Sequence, residues 1–86
     1  MVLPENQESD QQYMEEALSL ARQAAEVGEV PVGSVVVFEG RVIASAHNRR
    51  ELDQDPCAHA ELLAMRLAAK EVGSWRFEGC TVYVTL

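Results

Sequence analysis

Apolar residues recur at two different spacings along the chain, and the change of spacing separates helices from strands. From residue 13 to residue 25 they return every three or four positions, which predicts an amphipathic helix that ends at Gly28. Its apolar face is rich in alanine, and Asp10 stands where an N-cap is expected. Residues 1–12 are polar and acidic, so we predict a flexible N-terminal tail there.

Three later stretches have the residue types or the alternation of β-strands. Residues 30–38 are rich in valine, and the two-residue link Glu39-Gly40 separates them from residues 41–46, which resume the strand pattern. This arrangement predicts a β-hairpin. Residues 80–86 alternate between apolar and polar side chains, which predicts a third strand paired with the hairpin.

A second helix is predicted between Asp55 and Gly73. Asp55-Pro56 has the chemistry of an N-cap followed by proline at the first helical position, and the helical pattern runs to about Val72. The stretch is apolar on nearly all sides, so we expect it to pack on a sheet and against another helix or chain. The order α-β-β-α-β implies an α/β layer fold, and the strand pattern at the end of the chain predicts a domain cut short.

Composition excludes several classes of protein. Eighty-six residues form one domain at most, and a hydrophobic share of 48% excludes a mostly disordered chain. No apolar run approaches the ~20 residues that a membrane span needs. Two cysteines without a secretion signal predict a cytoplasmic protein with no structural disulfide. A net charge of −7 argues against a broad nucleic-acid surface on this segment.

His59 and Glu61 are the first candidates for chemistry, because they lie near the start of the second predicted helix. A neutral imidazole is the most common zinc ligand, and a carboxylate beside it can transfer protons. Residues two apart point roughly 200° apart on a helix, so both reach one site only if the helix starts close to His59. By spacing alone, a structural histidine and a surface glutamate explain the pair better.

Asn48 is the second candidate, because it follows the second predicted strand, where a side chain can point into a cleft. Its amide suits the edge of a nucleobase, although an asparagine that caps a turn is the simpler interpretation. Cys57 and Cys80 could nominally join His59 around a metal, but both fit small buried cysteines better. Glu29 and Arg49 lie near the same presumed cleft and are interpreted as surface charges.

Taken together and in order, six segments resemble the bacterial tRNA-specific adenosine deaminases. The segments are residues 17–21, 28–33 (GEVPVG), 47–49 (HNR), 55–61 (DPCAHAE), 75–76 (WR) and 79–86 (GCTVYVTL). The resemblance implies the cytidine-deaminase-like three-layer α/β/α fold, truncated here to α-β-β-α-β. Residues 13–86 would then be the N-terminal part of a single zinc-dependent deaminase domain.

The resemblance also implies a role for each candidate. His59 binds Zn²⁺ and Glu61 is the proton shuttle, while Asn48, Val30 and the backbone of Ala60 contact the substrate. Zinc-activated water attacks C6 of adenine at the wobble position of a tRNA anticodon stem-loop, which gives inosine. The family is homodimeric, and nothing in it points to a membrane.

Two departures from the family pattern limit what the 86 residues can do alone. Cys57 stands where the family usually has threonine, and the Glu-Pro-Cys-x-x-Cys segment with the two further zinc ligands would lie beyond Leu86. We therefore predict that this chain alone is inactive. Two alternatives stay open: a zinc deaminase of a free base or nucleotide such as cytidine, deoxycytidylate or guanine, and a non-catalytic association module or fragment.

Overall fold

Two helices and three strands form the part of the chain that the computed structural model describes, which is residues 5–74, 76 and 78–85. Along the chain they are α1 (Glu5–Glu26), β1 (Gly33–Phe38), β2 (Arg41–His47), α2 (Ala60–Val72) and β3 (Cys80–Val84). The predicted order α-β-β-α-β is confirmed.

The three strands form an antiparallel sheet in the order β2-β1-β3. Val36 in the central strand lies opposite Ala44 of β2 and Val82 of β3. Glu39 and Gly40 link β1 to β2 with φ angles of 51° and 77°, the left-handed conformations that a tight hairpin turn needs at both positions. The predicted hairpin is therefore confirmed, although β1 begins at Gly33 and not at residue 30.

The helices lie on opposite faces of this sheet. Successive residues of β1 face opposite sides, and each helix contacts residues on a different side. Gly33 contacts α1: a Cβ atom at this position would lie 2.1 Å from the carbonyl oxygen of Ala17. Val36 faces the other way and packs with Ala64 and Ala68 of α2. The described residues thus form a helix, a sheet and a second helix in three layers, as the family resemblance implied.

Helix α1 begins earlier than its pattern predicted. The alanine-rich face is buried as expected, with Ala17 and Ala24 completely enclosed. However, the helix starts at Glu5, so Asp10 lies inside it and the predicted N-cap is wrong. Residues 1–4 of the predicted tail lie outside the described residues.

Asp10 has a tertiary partner that explains its position. Its carboxylate accepts a hydrogen bond from the Tyr83 hydroxyl of β3, and this bond raises the pKa of Tyr83 to about 12. The Tyr83 ring also lies 5.3 Å from the ring of Tyr13, whose hydroxyl donates to the carbonyl of Gly40 at 2.7 Å. These contacts attach the first half of α1 to the sheet.

Helix α2 starts later than predicted and ends where predicted. Its N-cap is His59, and Asp55 instead closes a turn, in which its side chain accepts from the Cys57 N–H at 2.8 Å and its carbonyl accepts from the Ala58 N–H at 3.1 Å. The Asp-Pro pair is thus satisfied without a helix. At the other end, Gly73 has a φ of 71° and forms a left-handed C-cap.

One face of α2 packs on the sheet, and it is built from alanine. Ala60, Ala64 and Ala68 are buried, whereas Leu62 and Leu67 are 39% and 49% exposed. Packing on the sheet is confirmed, and burial of a second face stays a prediction. Neither described helix has the length and apolar character to cross a membrane.

Candidate active site

An open cavity of about 450 Å³ lies at the N-terminal end of α2. It is lined by Val32, Asn48, His59, Glu61, Val84 and Thr85. Because β1 is antiparallel to both neighbours, its first residue lies beside the last residues of β2 and β3. Segments that are far apart in the sequence therefore meet at this end of the sheet.

His59 and Glu61 both line this cavity and are both half-buried. The helix starts at Ala60, and His59 has extended backbone angles of φ −80° and ψ 143°, so it is outside the helical turn. The angular separation expected for two residues within one helix does not apply to this pair. The sequence analysis required a helix that starts close to His59, and α2 starts at the next residue. The partial positive charge of the helix N-terminus therefore lies beside His59.

Asn48 connects the end of β2 with the start of α2. It is 4% exposed, and its Oδ1 accepts a hydrogen bond from the Ala60 N–H at 2.8 Å. Its own N–H donates to the carbonyl of Val32 at 3.1 Å. Its Nδ2 has no hydrogen-bond partner among the described residues. Asn48 thus caps α2 through Oδ1, and its Nδ2 donor is not used within the described residues.

Ala60 and Val30, the other two residues to which the resemblance assigned substrate contacts, lie in different surroundings. Ala60 is completely buried, and its N–H is already bonded to Asn48. Val30 is 61% exposed and lines an adjoining cavity with Pro56, apart from His59. Asn48 borders both cavities. The substrate contacts of Val30 and Ala60 remain predictions.

Thr85 is a cavity residue that sequence reasoning missed. It is 6% exposed, its N–H donates to the Gly33 carbonyl at 3.0 Å, and its Oγ1 accepts from the Gly33 N–H at 3.0 Å. The alternation of residues 80–86 placed Thr85 on a polar face, and no signal in the sequence indicated a partner 52 positions away. These two bonds hold Val84 and Thr85 against the start of β1.

Glu29 was interpreted as a surface charge, and that interpretation is wrong. Only 6% of the residue is exposed, and its Oε2 accepts a hydrogen bond from the Leu52 N–H at 2.7 Å. Arg49 does lie at the surface, where its guanidinium contacts the Asp53 carboxylate at 3.0 Å. The hydrogen bond and charge of Asp53 raise the pKa of Arg49.

The cysteines do not complete a metal site with His59. Cys57 is exposed, which contradicts the predicted buried position. Cys80 packs against the core, as predicted, but it pairs with Phe38 at the opposite end of the sheet. No three histidine, cysteine, aspartate or glutamate side chains converge among the described residues. A catalytic zinc needs three protein ligands, and the described residues provide no such group.

Replacing Asn48 by alanine is expected to destabilise the protein by about 1–3 kcal/mol, because the buried Ala60 N–H loses its acceptor. Urea denaturation measures the change. Asn48→Asp is the matched control: it keeps an acceptor and adds a negative charge that the helix N-terminus favours, so its loss should stay below about 1 kcal/mol. Equal losses for the two variants would contradict this account of the cap.

Known proteins resemble this chain in both sequence and structure. The tRNA-specific adenosine deaminase of Bacillus subtilis is 53% identical over 77 residues, which are 90% of this chain and 48% of that protein. A solved structure from work on A-to-I editing by tRNA:A34 deaminases superposes with a TM-score of 0.84 at 45% identity, over 87% of this chain and 54% of that chain. Guanine deaminase from Bacillus subtilis superposes with a TM-score of 0.82 at 33% identity, over 86% of this chain and 48% of that chain.

The chain spans about half the length of the bacterial tRNA-specific adenosine deaminases that it matches, with 48% of one and 49% of the next. The sequence model for the cytidine and deoxycytidylate deaminase zinc-binding region matches residues 7–86. This match covers α2 and its N-cap as well as all three strands. The chain therefore belongs to the cytidine and deoxycytidylate deaminase family.

Proposed function

We propose that the full-length protein deaminates adenosine to inosine at the wobble position of a tRNA anticodon. The observation that carries the proposal is the convergence of His59, Glu61 and Asn48 on one cavity at the N-terminus of α2. The tRNA-specific relatives at 53% and 47% identity support tRNA as the substrate. Hydrolytic deamination replaces the exocyclic amine of the base with oxygen from water and releases ammonia.

Each of the three residues has a role that follows from its chemistry. Glu61 can accept a proton from water and return it to the base and the departing amine, which is general acid–base catalysis. Asn48 can donate from Nδ2 to an acceptor on the base edge, because Oδ1 is held by Ala60. His59 offers one imidazole ligand. A zinc ion completed by ligands elsewhere in the full-length protein would supply water with a pKa of ~7.

The wider surroundings of the site support two further parts of the proposal. The exposed leucines of α2, Leu62 and Leu67, suit a homodimer, in which a partner would cover apolar surface. The net charge of −7 predicts that these 86 residues make few of the contacts to tRNA phosphates. A tRNA substrate also favours a cytoplasmic location.

An assay on two kinds of substrate tests the proposal. The full-length protein with zinc is incubated with an anticodon stem-loop and, separately, with free adenosine, cytidine and guanine. We expect inosine in the stem-loop and little conversion of the free compounds. The 86-residue chain is the matched negative control, because it has only one of the three protein ligands that zinc needs. Conversion of free compounds without inosine in RNA would contradict the proposal. Turnover by the 86 residues alone would contradict the predicted inactivity of this chain.

A deaminase of free purine bases is the second candidate, and the guanine deaminase of Bacillus subtilis favours it. That protein is 33% identical to this chain and superposes nearly as well as the tRNA:A34 deaminase structure. The same assay separates the two, because this candidate predicts ammonia release from guanine and none from the stem-loop. The identity of 45% to the tRNA:A34 deaminase structure favours RNA as the substrate.

A further inference from the structure

The loop between β2 and α2 connects two residues of the candidate site, Asn48 and His59. We call residues 49–58 the β2–α2 loop; Asn48 precedes it and His59 follows it. A hydrogen bond from the Arg49 N–H to the Ala58 carbonyl at 2.9 Å closes its base. Most of its residues are exposed, so little apolar packing holds it against the rest of the fold. Its position must therefore depend on specific polar contacts.

Glu29 supplies such a contact from outside the loop. Its Oε2 accepts from the Leu52 N–H at 2.7 Å, in the middle of the loop. Within the described part of the chain, residues 50–57 have no other hydrogen bond to a residue outside the loop. The Glu29 N–H donates in turn to the Ala24 carbonyl at 2.9 Å, which ties the glutamate to the end of α1.

The chemistry of Glu29 makes this contact stronger than a neutral hydrogen bond. A carboxylate with 6% exposure loses most of its water, so it needs donors from the protein. A hydrogen bond from an N–H to an ionised acceptor is roughly twice as strong as a neutral one. Arg49 is close enough that the Glu29 charge contributes to its raised pKa, after the larger effect of Asp53.

We propose that Glu29 is a positioning residue, which holds the β2–α2 loop at Leu52 and thereby sets the geometry of the cavity beside the candidate active site. That cavity lies between residues 28–30 and the loop, and Asn48 forms part of both cavities. A polynucleotide whose reacting base enters at His59 and Glu61 would place an adjoining nucleotide over this loop. The inference rests on the proposed function for its substrate, and on the Leu52 contact for its mechanism.

Two substitutions in the full-length protein separate the effect of the hydrogen bond to Leu52 from the effect of the Glu29 charge. Glu29→Gln keeps a side-chain oxygen that can accept from Leu52, and Glu29→Met fills a similar volume without an acceptor. Glu26→Met, an exposed position at the end of α1, is the matched control. Hydrogen exchange of the Leu52 amide should accelerate about tenfold in Glu29→Met, by less in Glu29→Gln, which keeps a neutral acceptor, and stay near the wild-type rate in Glu26→Met.

Steady-state kinetics on the stem-loop gives the second measurement. KM should rise about tenfold in Glu29→Met with a smaller change in kcat, and Glu29→Gln should restore most of the affinity. Simple loss of folded protein would lower the active fraction and leave KM unchanged. Unchanged Leu52 exchange in Glu29→Met, or an equal rise in KM for Glu26→Met, overturns the inference. If no RNA is deaminated, the proposed function fails, and the exchange rates still decide whether Glu29 holds the loop.

Discussion

Replacing Glu61 by glutamine should reduce deamination by the full-length protein by about a hundredfold to ten-thousandfold, the range that general acid–base catalysis contributes. The substitution keeps the size and shape of a side chain that lines the cavity beside His59. An amide cannot accept a proton and return it at neutral pH, so the loss should fall on kcat. Single-turnover formation of inosine in an anticodon stem-loop measures it.

A matched control makes this result specific to the cavity. Glu71→Gln changes the same residue type on the same helix, at an exposed position in its last turn. We expect it to retain the wild-type rate. Stem-loop binding by Glu61→Gln should also stay near the wild-type value, because the substitution leaves Asn48 and the β2–α2 loop in place. A rate within about tenfold of wild type for Glu61→Gln would remove Glu61 from the proposed chemistry.

Replacing Gly33 by alanine should cost more stability than the same substitution at any of the other four glycines, at least about 3 kcal/mol. A Cβ atom at this position would lie 2.1 Å from the Ala17 carbonyl oxygen and 2.7 Å from the Ala21 nitrogen. Both are backbone atoms of α1, so no side-chain rotation relieves the clash. The helix would have to move away from the sheet, which would also strain the bonds between Gly33 and Thr85.

Gly40→Ala is the control for this prediction. Gly40 has a φ of 77°, which alanine disfavours, but no atom lies within 4 Å of its added Cβ. Its cost should therefore be near the conformational penalty alone, roughly 1–2 kcal/mol. Urea denaturation of both variants compares the two. A loss for Gly33→Ala no larger than for Gly40→Ala would show that α1 does not approach β1 as closely as the structure has it.

Local chemistry was sufficient to predict the elements whose signals act over a few residues. Glu39-Gly40 adopts the left-handed angles of a hairpin turn, and Gly73 provides the left-handed C-cap of α2. The alanine-rich face predicted for α1 is also the face that is buried, and its small side chains allow backbone atoms of the helix and the sheet to approach each other. In each case, the feature depends on sterics within one turn or one face.

Both predicted N-caps were wrong for the same physical reason. Asp10 and Asp55 have side chains that accept backbone N–H bonds at a helix start, and this preference alone suggested their positions. In the structure, Asp10 accepts from Tyr83, a residue 73 positions away, and Asp55 accepts within its own turn. A carboxylate binds any available donor, so local preference does not decide which donor it finds.

The sequence by itself determined the strands, the buried alanine face of α1 and the order of motifs that resembles the family, because periodicity and turn chemistry act locally. It also provided His59 and Glu61 as candidates without deciding whether they share a site. Only the tertiary structure decided that they do, through the start of α2 at Ala60. The antiparallel sheet then brought Asn48 and Thr85 to the same cavity, since the ends of separate strands meet there, and buried Glu29 against Leu52.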